Sequence, residues 1–146
     1  MSDYSTFERE LEKHGRLIYP NVGDSMMPLI KQGRDLLVIE PISAPLKRGD
    51  IPLYKRDSGQ YVLHRIISCR RGKYKICGDN RVWVEKGIED RHMIGVLTGL
   101  IRGGKEIPIR EAEGKLYRFY MTRLFAFRYI KYRICTLFCK SRKKNS

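Results

Sequence analysis

Tyr61-Val62-Leu63-His64-Arg65-Ile66-Ile67-Ser68-Cys69-Arg70-Arg71-Gly72-Lys73-Tyr74-Lys75-Ile76-Cys77 contains two runs rich in β-branched and aromatic residues, joined by a short basic segment that closes on glycine. Arg70-Arg71-Gly72 reads as a hairpin turn, which makes Tyr61–Cys69 and Lys73–Cys77 antiparallel neighbours. Alternation along the first run puts Val62, His64 and Ile66 on one face and Leu63, Arg65 and Ile67 on the other. His64 thus shares a face with two β-branched residues and is expected to be partly buried.

Outward from this hairpin, the runs Leu17–Val22, Leu36–Ile39, Ile51–Tyr54 and Ile94–Ile101 are separated by turn residues. Short strands so punctuated predict a mainly β, strongly bent, partly open barrel-like domain rather than alternating β-α units. Pro52 lacks an amide hydrogen and marks its strand as an edge strand. At the amino terminus, Ser5-Thr6-Phe7-Glu8 has the form of a capping box, Phe7 and Leu11 lie one helical turn apart, and Gly15 is a natural stop. Gly103-Gly104 reads as the end of the β region. From Lys115 to Cys139 there is neither Gly nor Pro, which predicts one long helix. The expected organisation is an N-terminal helix over 1–15, a β domain over 16–112, and a basic aromatic helix with a disordered tail over 113–146. The tail proper is Lys140–Ser146.

The 146 residues carry a formal charge of +14. From Lys115 onward ten residues are Lys or Arg and none is acidic, so the excess belongs to the C-terminal segment. Arg118, Arg123, Arg128, Lys131 and Arg133 interrupt it too often for a conventional membrane span. Projected at helical spacing, these cations fall all round the axis and leave no clean polar face. Aromatics mixed with long cationic side chains suit the headgroup region of an anionic bilayer.

The residues Ser2–His14 are polar and charged, so no secretory signal is expected. Cys69, Cys77, Cys135 and Cys139, with His14, His64 and His92, match no zinc-finger or ribbon spacing. They read as buried or half-buried free thiols, and no metal or organic cofactor is called for.

The chemistry lies in Gly23-Asp24-Ser25-Met26-Met27-Pro28-Leu29-Ile30, a serine on a turn entered by glycine and left through proline. Downstream, in order, stand Lys47-Arg48-Gly49-Asp50-Ile51, His64-Arg65, Cys77-Gly78-Asp79-Asn80 and Met93-Ile94-Gly95-Val96. This ordered set across residues 22–96 resembles the catalytic domain of the type I signal peptidases and the related SOS-repressor-type autoproteases. In most of these the base is a lysine followed by arginine. Here the matching position is His64, followed by Arg65, the pattern of the endoplasmic-reticulum, archaeal and some Gram-positive signal peptidases.

The resemblance implies a bent β peptidase fold with Ser25 as nucleophile, His64 as general base and Asp79 in support. The further aspartate that usually follows the family's Gly-Asp-Asn box is missing, which leaves the third role open: Asp79 is the first choice, ahead of Glu85 and Asp90. It also implies that Asp50 is structural, that Met26 packs inward, and that the cleft takes an extended peptide with small residues before the cut. The choice of base is chemically sound: an imidazole with an ordinary pKa of about 6.5 is already largely neutral near pH 7, whereas a lysine needs heavy desolvation.

The expected function is therefore a signal-peptidase-like serine endopeptidase acting on a leader peptide or membrane-proximal substrate. Its expected setting is the cytoplasmic face of a membrane, with residues 115–146 against anionic lipid and no N-terminal anchor. Two alternatives compete with it. One is an SOS-repressor-like autoproteolytic regulator, against which stand the missing lysine and a leading segment too short for a helix-turn-helix. The other is a catalytically silent basic module for anionic lipid or nucleic acid, with nucleic acid the less favoured partner.

Overall fold

A computed structural model describes residues 6–144, with side chains from Thr6 to Phe138. Strand (35%) outweighs helix (29%), and the strands form a curled half-barrel, so the chain is mainly β with a short N-terminal helix and a C-terminal helix.

Helix α1 (Phe7–His14) is capped by Thr6, whose hydroxyl accepts from the Arg9 amide at 3.4 Å, and it stops at Gly15 in the left-handed region. The cap thus sits one residue later than the capping-box reading; Ser5 lies outside the described residues. Leu11 is the residue α1 buries.

Six strands make the larger sheet: β1 (Leu17–Pro20), β2 (Asp35–Glu40), β3 (Pro52–Lys55), β4 (Tyr61–Leu63), β8 (Met93–Arg102) and β9 (Lys105–Pro108). Their order is β1-β2-β8-β3-β4, with β9 also on β8, and every pairing is antiparallel. Three strands make the smaller sheet, β5 (Arg65–Arg70), β6 (Lys73–Cys77) and β7 (Glu85–Glu89), in that order. Leu11, Met26, Ile30, Ile39, Ile51 and Leu100 are among the residues that fill the half-barrel. Tyr54, Ile66, Tyr74, Ile76 and Ile88 form a second cluster under the small sheet.

Two expectations about strands are corrected. The run Tyr61–Cys69 is not one strand: it breaks at His64, leaving β4 in the large sheet and β5 in the small one. Pro52 does not mark an edge, because β3 lies between β8 and β4. Proline is tolerated there as the first residue of the strand, where only β8 pairs with it.

The C-terminal segment is also corrected. Helix α2 (Ile109–Glu113) leads into α3 (Lys115–Arg123), and a break at Leu124 separates α3 from α4 (Phe125–Lys144). The tail expected to be disordered from Lys140 is helical as far as Lys144; residues 145–146 lie outside the described residues. Cys77 is buried, but Cys69 and Cys135 are exposed free thiols rather than half-buried ones, and the Cys139 side chain lies outside the described residues. No helix among the described residues is long and apolar enough to cross a membrane.

Candidate active site

The serine turn is held from three sides. Its own amides close it, Met27 to the Asp24 carbonyl and Ile30 to the Met26 carbonyl, both at 3.0 Å. Gln32 accepts from the Gly23 amide at 2.8 Å, and Met26, Leu29 and Ile30 anchor the turn in the half-barrel core. The third restraint comes from Gly78-Asp79-Asn80. The Asn80 amide donates to the Ser25 carbonyl at 2.8 Å, and its side chain donates to the Asp24 carbonyl at 3.2 Å. Arg81 adds an exposed ion pair to Asp24 at 2.5 Å. Ser25 itself is half-buried, and its hydroxyl makes no hydrogen bond among the described residues.

His64 sits where the chain leaves the large sheet for the small one, and its ring lies beside Gly78. A methyl group built on Gly78 would stand 2.6 Å from the Ser25 carbonyl oxygen and 3.2 Å from His64 Nε2. Only hydrogen fits between them, and glycine is the residue that brings the serine turn and the imidazole to a common floor. On the ring's other side, Nδ1 lies 3.4 Å from the Tyr54 hydroxyl. That hydroxyl donates its proton to Glu85 Oε2 at 2.7 Å, so towards His64 it acts as an acceptor. With that hydroxyl as acceptor, the proton sits on Nδ1 and the lone pair on Nε2, the ring nitrogen beside Gly78.

Glu85 is itself clamped by Arg56 through two hydrogen bonds of 2.7 and 2.6 Å, and this pairing lowers its pKa despite burial. Burial pushes the His64 pKa down to about 4; Glu85 pulls it up, while Arg56 and Arg81 push it further down. The imidazole is therefore neutral at pH 7. His64, Arg56, Arg81, Trp83, Val84 and Glu85 line an open cleft of about 330 Å³.

Cys77, the thiol next in the chain to Gly78, is buried and pushed up to about 11, mainly by desolvation. It is no rival nucleophile at neutral pH. A larger concavity of about 600 Å³ lies elsewhere, around Ile42–Leu46, Cys69–Gly72 and Tyr74. It holds neither Ser25 nor His64.

No known protein-family profile matches this chain. No curated protein matches it either.

The other residues singled out in the sequence take different places. Asp79 is buried and grips Arg65 through two bonds of 2.8 Å, and it accepts from the Tyr117 hydroxyl at 2.9 Å. Among the described residues it makes no hydrogen bond to His64. Asp90, in the helical turn Asp90–His92 between β7 and β8, accepts from the Tyr74 hydroxyl at 2.6 Å. Asp50 accepts from the Lys47 amide at 2.9 Å and from Arg110 at 2.7 Å, closing its loop and holding α2. Of the three carboxylates considered for the third position, Glu85 is the one linked to His64, through Tyr54.

The buried role of Arg65 escaped the sequence reading, which used it only as the residue after His64 and as part of the strand alternation. Its side chain is fully buried, with Asp79 and Glu113 as partners and Tyr117 over its guanidinium. Glu113, on α2, also accepts from Arg110 and Arg118. Burial nonetheless raises its pKa, with Arg65 opposing the shift. A signal was present: alternation set Arg65 on a face with Leu63 and Ile67, and a cation among apolar residues requires a buried carboxylate. Nothing in the sequence pointed to Tyr54.

Proposed function

We propose that this protein is a signal-peptidase-like serine endopeptidase with Ser25 as nucleophile and His64 as general base. The observation that supports the reading is the close approach at Gly78, where the Ser25 carbonyl oxygen and His64 Nε2 both lie within 3.2 Å of the point a methyl group would occupy. The order of motifs supports it, and the imidazole is neutral at pH 7, although a pKa of about 4 makes it a weaker base than a free histidine.

In this mechanism Ser25 Oγ attacks the scissile carbonyl carbon while its proton passes to Nε2. The new Oγ–C bond gives a tetrahedral oxyanion, which collapses as the C–N bond breaks and Nε2 returns the proton to the leaving amine. Water then hydrolyses the acyl-enzyme by the reverse proton route. The turn's own hydrogen bonds leave the Ser25 amide unused, so it is available to the oxyanion. The Ser25 hydroxyl must turn towards Nε2 first, as in many apo enzymes. Tyr54 and Glu85 hold the proton on Nδ1 throughout. Asp79 acts at one remove, keeping Arg65 and the Gly78–Asn80 loop in place.

The test is cleavage of a peptide library rich in small residues by the full chain and its Ser25→Ala and His64→Ala variants, near neutral pH. Cleavage lost in both variants supports the assignment. Inactivity of the parent, with an intact fold, sinks it.

A further inference from the structure

Helix α4 is gripped on one side and bare on the other. On the gripped side, Arg128 is buried and donates to the carbonyls of Asp79 and Arg81 at 2.5 and 3.0 Å. Tyr129 and Tyr132 pack edge-on against Trp83, with ring centroids 6.4 and 6.1 Å apart. These contacts fasten the helix to the loop that runs from Gly78 to the His64 cleft.

On the opposite side lie Phe127, Ile130, Ile134, Leu137 and Phe138. At helical spacing they fall within one arc of about 100°. Each is between 48% and 71% exposed. Lys131 and Arg133 border this arc and are exposed. The apolar stripe corrects the expectation, made for one helix over Lys115–Cys139, that no distinct face exists: Arg118 and Arg123 belong to α3, and Arg128 is buried in the domain.

Charge decides what covers the stripe. From Lys115 to the end the chain has ten cations and no carboxylate. A second copy of the chain would set those cations against themselves. Nucleic acid would pair with the cations but leave Ile130, Ile134 and Leu137 wet, because aliphatic side chains offer no stacking surface. An anionic bilayer takes both, the stripe into the acyl boundary and the cations to the phosphates.

We propose that α4 lies flat on an anionic lipid bilayer, with Phe127, Ile130, Ile134, Leu137 and Phe138 inserted and Lys131 and Arg133 at headgroup level. The contacts of Arg128, Tyr129 and Tyr132 then hold the His64 cleft close to the membrane surface, within reach of a membrane-proximal peptide. Bilayer binding is independent of whether the cleft is catalytic.

The experiment is vesicle flotation of the full chain with phosphatidylcholine alone and with phosphatidylcholine containing phosphatidylglycerol. Two double variants accompany it, Ile130→Asp with Ile134→Asp, and Lys131→Glu with Arg133→Glu. All four positions are exposed, and circular dichroism checks that the fold is kept. The expected result is flotation with anionic vesicles only, and a loss of about tenfold or more in partitioning for each variant. Four results would overturn the proposal. They are absence of flotation, equal flotation with neutral vesicles, unchanged flotation of the isoleucine variant, and preferential binding of a single-stranded RNA oligonucleotide over the anionic vesicles. Self-association of the parent that the isoleucine variant abolishes, without vesicle binding, would instead assign the stripe to a second copy.

Discussion

Arg65 and Asp79 form a two-point ion pair, 2.8 Å at each contact, with almost nothing of either side chain exposed. Arg65 follows His64 in the chain, and Asp79 follows Gly78. The pair therefore locks together the two backbone segments that carry the imidazole and the floor beneath the serine turn. Removing Asp79 would leave a buried guanidinium with Glu113 as its remaining carboxylate. Asp79→Ala is expected to lose about 3–5 kcal/mol of stability, read as a lower urea midpoint. A variant that unfolds at the parent's midpoint yet has lost cleavage would assign Asp79 to His64 instead.

Gly78 has no room for a side chain. The nearest obstacle to a Cβ is the Ser25 carbonyl at 2.6 Å, which is backbone and also accepts from the Asn80 amide. Gly78→Ala must therefore displace the serine turn. We expect a cost of about 1–3 kcal/mol and a larger loss of cleavage than that instability explains. Cleavage by a folded Gly78→Ala protein at the parent's rate would show that the serine turn and the imidazole need not share this floor.

His64 predicts how stability depends on pH. Its pKa falls from 6.5 to about 4 on folding, chiefly through burial. Below its ordinary pKa the unfolded chain takes up a proton that the folded chain refuses. The contribution is thus present above 6.5 and is lost as pH falls towards about 4. Its full size is on the order of 3 kcal/mol. Glu113 works in the opposite sense, since its raised pKa makes the folded state the better proton binder as pH falls. Urea unfolding at about pH 7 and about pH 5 should show the parent losing more stability than His64→Gln. Equal losses would mean that the ring titrates normally.

The β architecture was legible because alternating apolar runs and turn residues encode strands locally. The hairpin around Arg70-Arg71-Gly72 forms as read, although its first strand is Arg65–Arg70 rather than Tyr61–Cys69. Two strands were not legible. Glu85–Glu89 is polar with a central glycine, and Lys105–Pro108 is four residues long, so Gly103-Gly104 looked like an end rather than the turn of a hairpin. The break at His64 was hidden for a related reason: alternation continues through it, and only packing of the two sheets decides that the chain changes sheet there. Motif order singled out Ser25 and His64 as candidates. Their joint floor depends on a backbone approach that no residue pattern records. The Tyr54–Glu85 link joins β3 to β7, and that distance in sequence conceals it.

That link makes the last prediction. Tyr54 is buried, and its hydroxyl is wedged between Glu85 at 2.7 Å and His64 Nδ1 at 3.4 Å. Burial and the Glu85 carboxylate both raise its pKa, so the hydroxyl keeps its proton and donates a hydrogen bond to Glu85. In Tyr54→Phe the ring still fills the core and Arg56 still holds Glu85, but Nδ1 loses its acceptor. The imidazole is then free to place its proton on Nε2, where it cannot accept from Ser25. The fold should survive with a loss of about 1 kcal/mol. Cleavage should fall about 10- to 100-fold in kcat with KM little changed, because the defect lies in the proton-transfer step. Nitrogen NMR of the labelled histidine should show the Nδ1–H tautomer in the parent and a mixture in the variant. If the variant keeps both the parent's tautomer and its kcat, then Tyr54 only fills space and Glu85 has no part in orienting the base.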